Sequence, residues 1–449
     1  MRHGLRLSAL CVLISLQAIA QSPTDLAALK GLAPTSALLN TVAGQAALGA
    51  NFTVTGGLQA GDIRQPTLLP FPEQQQQALR DAFITSGNLA DLADGLGTTL
   101  GAAYLARAHY IDREHFSKAS PAVAEVIAYA YAFTSANSAS GKYFFANATT
   151  DGKTPVSPLA QTLLKAVNGR TDIFGKSYGL PAGSLGSDPL GNSRPFQTEP
   201  NTVRIFGMDY FNTPADNLDY NRGPIMNLVA NPSFPSGHTT YGFTGAVLLA
   251  VLVPERYQQM ITRGAEYGND RILLGAHYTM DVIAGRTLAL YDMAHLLAND
   301  PAYVGQSLKG SPVISDFRGA VLKARAELAS ALREACGNTV EVCAREDTGR
   351  LSNPAANESF YASTQTYNLP VVFSQNAGVL EDVGKRIPEA GYLLTVAFPP
   401  LTLEKANEIL TETEGPGGGF LDDGSPFGVY SRLDLYAAAK RAAELAPRK

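Results

Sequence analysis

Two histidines, two arginines and one aspartate stand at spacings that suit chemistry on an anion. In RILLGAHYTMD, Arg271 precedes His277 by six positions and Asp281 follows it by four. If that stretch is helical, positions i and i+4 share a face, so the Asp281 carboxylate can accept a hydrogen bond from one imidazole nitrogen and fix the tautomer. The other nitrogen is then a nucleophile or a ligand, although the same spacing also describes an ordinary ion pair on a helix surface. The stretch NPSFPSGHTTYGF puts Pro235, Ser236, Gly237 and His238 directly before the apolar run GAVLLAVLV. A helix start with glycine in its first turn leaves backbone N–H groups open to an anion, and His238 would stand beside them as a proton donor. Arg194, in NSRPF, adds a second guanidinium whose planar fork matches phosphate oxygens.

Taken together, RP, PSGH and R-x5-H-x3-D occur in that order, as Arg194-Pro195, Pro235 to His238, and Arg271 through His277 to Asp281. This pattern resembles the three-part signature of the type 2 phosphatidic acid phosphatase superfamily, which includes bacterial class A acid phosphatases, lipid phosphatases and vanadium haloperoxidases. The resemblance covers roughly residues 72–300 and implies an all-α fold, a helical bundle whose core gathers the motifs around one oxyanion pocket. By motif position it implies His277 as the nucleophile taking the phosphoryl group, Asp281 as its orienting partner and His238 as the general acid. Arg194, Arg271 and the amides of Ser236 and Gly237 would hold the phosphate oxygens. No metal or other cofactor is expected. The implied activity is hydrolysis of phosphate monoesters on a small phosphorylated substrate. Two alternatives use the same pocket: a vanadate-dependent haloperoxidase, and a phosphate-binding protein without turnover.

Two positions depart from the pattern. The superfamily's lysine, seven positions before the first arginine, is replaced by Ser187, and the nearest upstream candidate is Lys176, across a Gly- and Pro-rich insertion. The serine before the second arginine is Asp270, which would bring a negative charge towards an anion site. His109, His115 and His295 match no motif position, and Tyr241 and Tyr278, beside the two motif histidines, are read as core.

The elements that must position these residues are mostly helices. PEQQQQALRDAFITSG carries Pro in a first turn and Gly87 at its end, and LADLADGLGTTLGAAYLARAHYIDREHF and SPAVAEVIAYAYAFTSA continue with apolar periodicity. Residues 149–235 are rich in Gly, Pro, Asn and Asp and read as a long functional loop region. Helix resumes from Thr239 to the stop at Pro254, and again over residues 255–300. The C-terminal part, 301–449, reads as a mostly helical accessory region, with FRGAVLKARAELASALREAC as a strong helix and PVVFS and YLLTVAF as short strands. Residues 21–70 form an N-terminal extension, and 71–300 the catalytic unit.

Composition sets the remaining limits. Of the 449 residues 45% are hydrophobic and 17% charged, enough apolar content to fold. The net charge is −5 with no basic patch, which argues against nucleic acid as partner. Arg2 and Arg6 precede a short apolar core and Ala18-Ile19-Ala20, the order of a secretory signal cleaved before Gln21. A periplasmic or secreted protein is therefore expected, with Cys336 and Cys343 paired and no integral membrane association.

Overall fold

The computed structural model describes residues 22–445 except 64–65, 85–86, 150–151, 175–189, 200–201, 224–225 and 346–347. The expected signal segment and Lys176 thus lie outside the described residues. About 61% of the described residues are helical. The only named strands among the described residues are β1 (Phe206–Met208) and β2 (Pro214–Asp216), an antiparallel pair. The fold class is all-α.

The first three α-helices are α1 (Pro23–Leu32), α2 (Val42–Ala60) and α3 (Phe71–Arg80). Then come α4 (Thr98–Leu105), the long α5 (Pro121–Asn147) and α6 (Pro158–Ala166), followed by two short helices, α7 (Pro195–Thr198) and α8 (Asn217–Arg222). The bundle centre is α9 (Gly237–Leu252), α10 (Tyr257–Leu273) and α11 (Thr279–Ala298). Beyond these, α12 (Phe317–Cys336), α13 (Val340–Cys343) and α14 (Pro354–Thr366) precede five shorter helices that end near Leu445.

Helix α9 shows why the motifs are buried. Every residue of GHTTYGFTGAVLLAVL except Tyr241 is buried, as expected of a helix that is apolar all round. It packs on α5, α10, α11 and α12, so its N-terminal turn opens inside the bundle. Close approach is set by glycine: a Cβ on Gly285 of α11 would lie 2.4 Å from the Ser236 carbonyl oxygen. No larger residue allows α11 to touch the turn that begins α9.

Several sequence expectations change. The helix beginning at Phe71 ends at Arg80, not at Gly87, and residues 89–116 hold a short 3-10 segment, α4 and an isolated bridge between Tyr110 and Phe116, not one helix. The 255–300 stretch is two helices with a corner at 274–278. The expected strands PVVFS and YLLTVAF are absent: Tyr392–Thr395 is helical, and the first forms a loop whose amides bond Gly418. β-branched content alone did not secure a strand partner. The N-terminal segment, to which the sequence assigned no role, caps α11: Asn51 Oδ1 accepts from the Met280 amide at 2.9 Å, and Thr55 Oγ1 from the Thr279 amide at 3.1 Å.

The C-terminal residues share the bundle's core. Leu92, Val247, Leu290, Leu328, Leu394 and Leu435 belong to one buried apolar cluster. Cys336 and Cys343 are joined in a disulfide, as expected. No helix among the described residues is long and apolar enough to cross a membrane.

Candidate active site

The R-x5-H-x3-D spacing is a helix corner. Arg271 lies in the last turn of α10, Gly275 adopts the left-handed conformation (φ +71°), and the His277 amide donates back to the Arg271 carbonyl at 3.2 Å. His277 therefore precedes α11 instead of sitting within a helix. Its Asp281 partner occupies the first turn of α11, where the carboxylate also accepts from the Tyr278 amide at 2.9 Å. The pairing expected from a helix face is present, made across a helix start.

Asp281 Oδ2 lies 3.3 Å from His277 Nδ1, and Ser233 Oγ donates to the same oxygen at 2.5 Å while lying 3.2 Å from Nδ1. This arrangement assigns the imidazole proton to Nδ1 and leaves Nε2 as the acceptor. Nε2 faces two donors: Arg194 Nη1 at 3.0 Å and His238 Nδ1 at 2.8 Å. The lone pair that would attack phosphorus is thus covered by a cation and by a second imidazole. A substrate phosphoryl group must take their place.

His277, Asp281, Arg194 and Arg271 are wholly buried, and His238 is nearly so. Burial, reinforced by the neighbouring guanidinium groups and Lys142, holds both imidazoles well below their usual range. Burial pushes Asp281 up to about 6, opposed by its bonds from Ser233 and Tyr278. At neutral pH the three groups therefore form a neutral His pair resting on a carboxylate.

The sequence missed Lys142. This lysine lies in α5, in SASGKYFF, and its Nζ donates to Asn231 Oδ1 and to the Pro232 carbonyl, each at 3.0 Å. Arg194 uses the same two acceptors: Nη2 reaches Asn231 Oδ1 at 3.0 Å and the Pro232 carbonyl at 3.1 Å. Two cations are thereby fixed side by side, and burial together with Arg194 drives the Lys142 ammonium well below its usual range. Gly237 eases this approach, since a Cβ there would lie 3.2 Å from Lys142 Cε and the lysine would have to shift by a few tenths of an ångström. The available signal was the one basic residue of α5, masked by its distance from Arg194 in sequence. Ser233 and Asn231 were missed although they stand within the quoted PSGH stretch.

Ser236 and Gly237 divide the role expected of them. The Ser236 amide donates to the Asp281 carbonyl at 3.0 Å, and its hydroxyl caps α9 by accepting from the Thr239 amide. Ser236 therefore locks α9 to α11, and Gly237 lines the cavity. Arg271 also differs from expectation. Its guanidinium lies over the Tyr267 ring, 4.4 Å from the centroid, and donates to the Asp81 carbonyl, while its charge helps hold both imidazoles below their usual range. Asp270 does not line the cavity: Gln74 donates to it at 2.7 Å, and burial beside Asp81 and Glu266 raises its carboxyl well above the usual carboxylate range.

A cavity of about 360 Å³ opens onto this group, with Lys142, Arg194, Gly237 and His238 at its floor and Met226 and Tyr241 on its walls. Tyr241, assigned to the core from sequence, thus borders the cavity. Tyr278 does not line it; its hydroxyl bonds Thr198 Oγ1 at 2.8 Å. His109 and His115 are exposed, and His295 pairs with Asp300, all apart from the cavity.

A family model described as PAP2 superfamily matches residues 190–298. The chain is 46% identical over 66 residues to a non-specific acid phosphatase of Salmonella typhimurium, covering 15% of this chain and 26% of that protein. It is 44% identical over 64 residues to an acid phosphatase of Zymomonas mobilis subsp. mobilis, 14% of this chain and 24% of that protein. A non-specific acid phosphatase of Providencia stuartii is 39% identical over 72 residues, 16% of this chain and 29% of that protein. The chain therefore matches only about a quarter of the length of these relatives. The matched segment contains Arg194, His238, Arg271, His277 and Asp281 but not Lys142, which reaches the same cavity from α5. Over residues 190–298, the segment that holds these motifs, the chain is similar to the PAP2 superfamily.

Proposed function

We propose that this protein hydrolyses phosphate monoesters through a phosphohistidine on His277. The observation that carries the reading is the division of labour on one imidazole: Nδ1 is held by Asp281 and Ser233, while Nε2 faces Arg194 and His238. In the first step Nε2 forms a bond to phosphorus as the ester P–O bond breaks, and His238, protonated once the phosphate dianion is bound, gives that proton to the leaving oxygen and returns to the neutral imidazole. In the second, His238 takes a proton from water, the resulting hydroxide attacks phosphorus, and the P–N bond breaks to release inorganic phosphate. Arg194, Lys142 and the Gly237 amide hold the non-bridging oxygens, with Arg271 adding positive charge. Phosphoryl transfer depends chiefly on such positioning and charge stabilisation.

The acid phosphatase relatives support this chemistry over oxidation of halides in the same pocket. An assay with an aryl phosphate and, separately, with a halide and peroxide, each with and without vanadate, tests it. Hydrolysis that vanadate inhibits is the expected result; halide oxidation that requires vanadate overturns it. We further propose export to an oxidising compartment, with Gln21 as the mature N-terminus. The disulfide between Cys336 and Cys343 supports this, since such bonds persist outside the reducing cytosol.

A further inference from the structure

His238 has a second neighbour that the proposed steps do not use. Its Nδ1 faces His277 Nε2 at 2.8 Å, and across the ring its Nε2 lies 3.4 Å from Met226 Sδ. Met226 is half-buried and lines the cavity that Lys142, Arg194 and Gly237 also line. Once His238 is protonated over a bound phosphate, its Nε2–H meets a thioether, a weak acceptor that leaves the imidazolium free to give up its other proton. The charges acting on His238, those of Arg194, of Lys142 in α5 and of Arg271 in α10, are all positive, so nothing else there holds that proton.

This sulfur is also within reach of a small oxidant. The sequence has no tryptophan, and among the described residues both cysteines, Cys336 and Cys343, are joined in a disulfide. Met260, in α10, and Met280 and Met293, in α11, are wholly buried. Met208, on β1, is 49% exposed but does not line the cavity. Among the described residues, Met226 alone combines an accessible thioether with contact to a reacting group.

We propose that Met226 is an oxidation site through which a peroxide lowers the activity of this pocket. The proposal rests on the reading of His238 as general acid. The sulfur gives an electron pair to one peroxide oxygen, the O–O bond breaks, an S–O bond forms, and the other oxygen leaves as water. The sulfoxide oxygen, carried on the atom that faces Nε2, is a strong acceptor. Bonded to the Nε2–H it stabilises the imidazolium and makes His238 a poorer acid. Reduction by a dithiol, which becomes a disulfide as water is released, restores the thioether.

Met208→Leu, a change outside the cavity, leaves Met226 as the one reachable methionine among the described residues. Treated with hydrogen peroxide, this variant should gain one oxygen at Met226, located by mass spectrometry of its peptides. Hydrolysis of an aryl phosphate should fall by about tenfold in proportion to the sulfoxide formed, the worth of a hydrogen bond to a charged group. The basic limb of the kcat profile should move to higher pH, which simple blockage of the cavity would not produce. Methionine sulfoxide reductase with a dithiol should reverse both changes. The double variant Met208→Leu, Met226→Leu should keep its own untreated rate through the same treatment. The proposal is overturned by Met226 left unoxidised, by undiminished hydrolysis from the sulfoxide, by a lowered rate with the basic limb unmoved, or by equal loss in the double variant. An untreated protein that hydrolyses no phosphate ester overturns the proposed function instead, and the peptide map then decides the oxidation site by itself.

Discussion

His238 and His277 face each other across 2.8 Å with Arg194 and Lys142 close by, so in the free protein every neighbouring charge on the cavity side is positive. Both imidazoles and Lys142 are held below their ordinary ranges. A phosphate dianion reverses that balance, favouring the protonated forms of His238 and Lys142. Phosphate binding near pH 7 should therefore take up protons, and affinity should fall as pH rises; calorimetry in buffers of different ionisation enthalpy reads the uptake directly. Zero uptake contradicts the charge arrangement. Lys142→Met should weaken inorganic phosphate and raise KM for an aryl phosphate by about tenfold or more, the loss of one charge-assisted contact, with the fold retained. At this scale the motif residues were legible because their letters and spacing are local. Lys142 was not, since its place beside Arg194 depends on α5 passing the Asn231–Pro232 turn, and no local pattern records that contact.

The motif spacings are element geometry. R-x5-H-x3-D measures the end of α10, a left-handed glycine and the first turn of α11, while PSGH is the turn that starts α9. The Ser236 amide bonded to the Asp281 carbonyl joins those two starts, and Gly285 lets them touch. Gly285→Val should separate α9 from α11, destabilise the protein by about 2 kcal/mol from overpacking and lower kcat sharply; denaturant unfolding and steady-state kinetics measure the two effects. Unchanged stability contradicts the close packing. The apolar run of α9 and its stop at Pro254 were readable from sequence. The corner between α10 and α11 was not, because Gly275 interrupts no apolar periodicity and only its positive φ marks the turn.

Across the whole molecule a partly buried ionic network ties the C-terminal region to the site. Arg350 donates to both Glu266 oxygens at 2.7 Å and to Asp94 at 2.7 Å; Arg263 bonds Asp94 at 2.8 Å and grips Asp81 bidentately at 2.6 and 2.7 Å. The Asp81 carbonyl in turn receives Arg271. Arg350→Ala leaves Glu266, wholly buried, with the 3.3 Å contact to Arg263 as its one remaining ion pair among the described residues, so it should cost on the order of 2 kcal/mol of unfolding free energy by chemical denaturation. A change near zero would show the C-terminal region to be separable from the bundle. Sequence composition described that region as an added layer, because charged residues far apart along the chain show no pairing until the helices bring them together.

The central claim is that phosphorus passes through His277 Nε2. Mixing the protein with a phosphorus-labelled aryl phosphate, quenching in base, where phosphohistidine survives, and mapping the label tests it most directly. The account predicts acid-labile label on His277 during turnover and none in His277→Ala, which should also lose hydrolysis. Label on another residue, or full hydrolysis by His277→Ala, contradicts it.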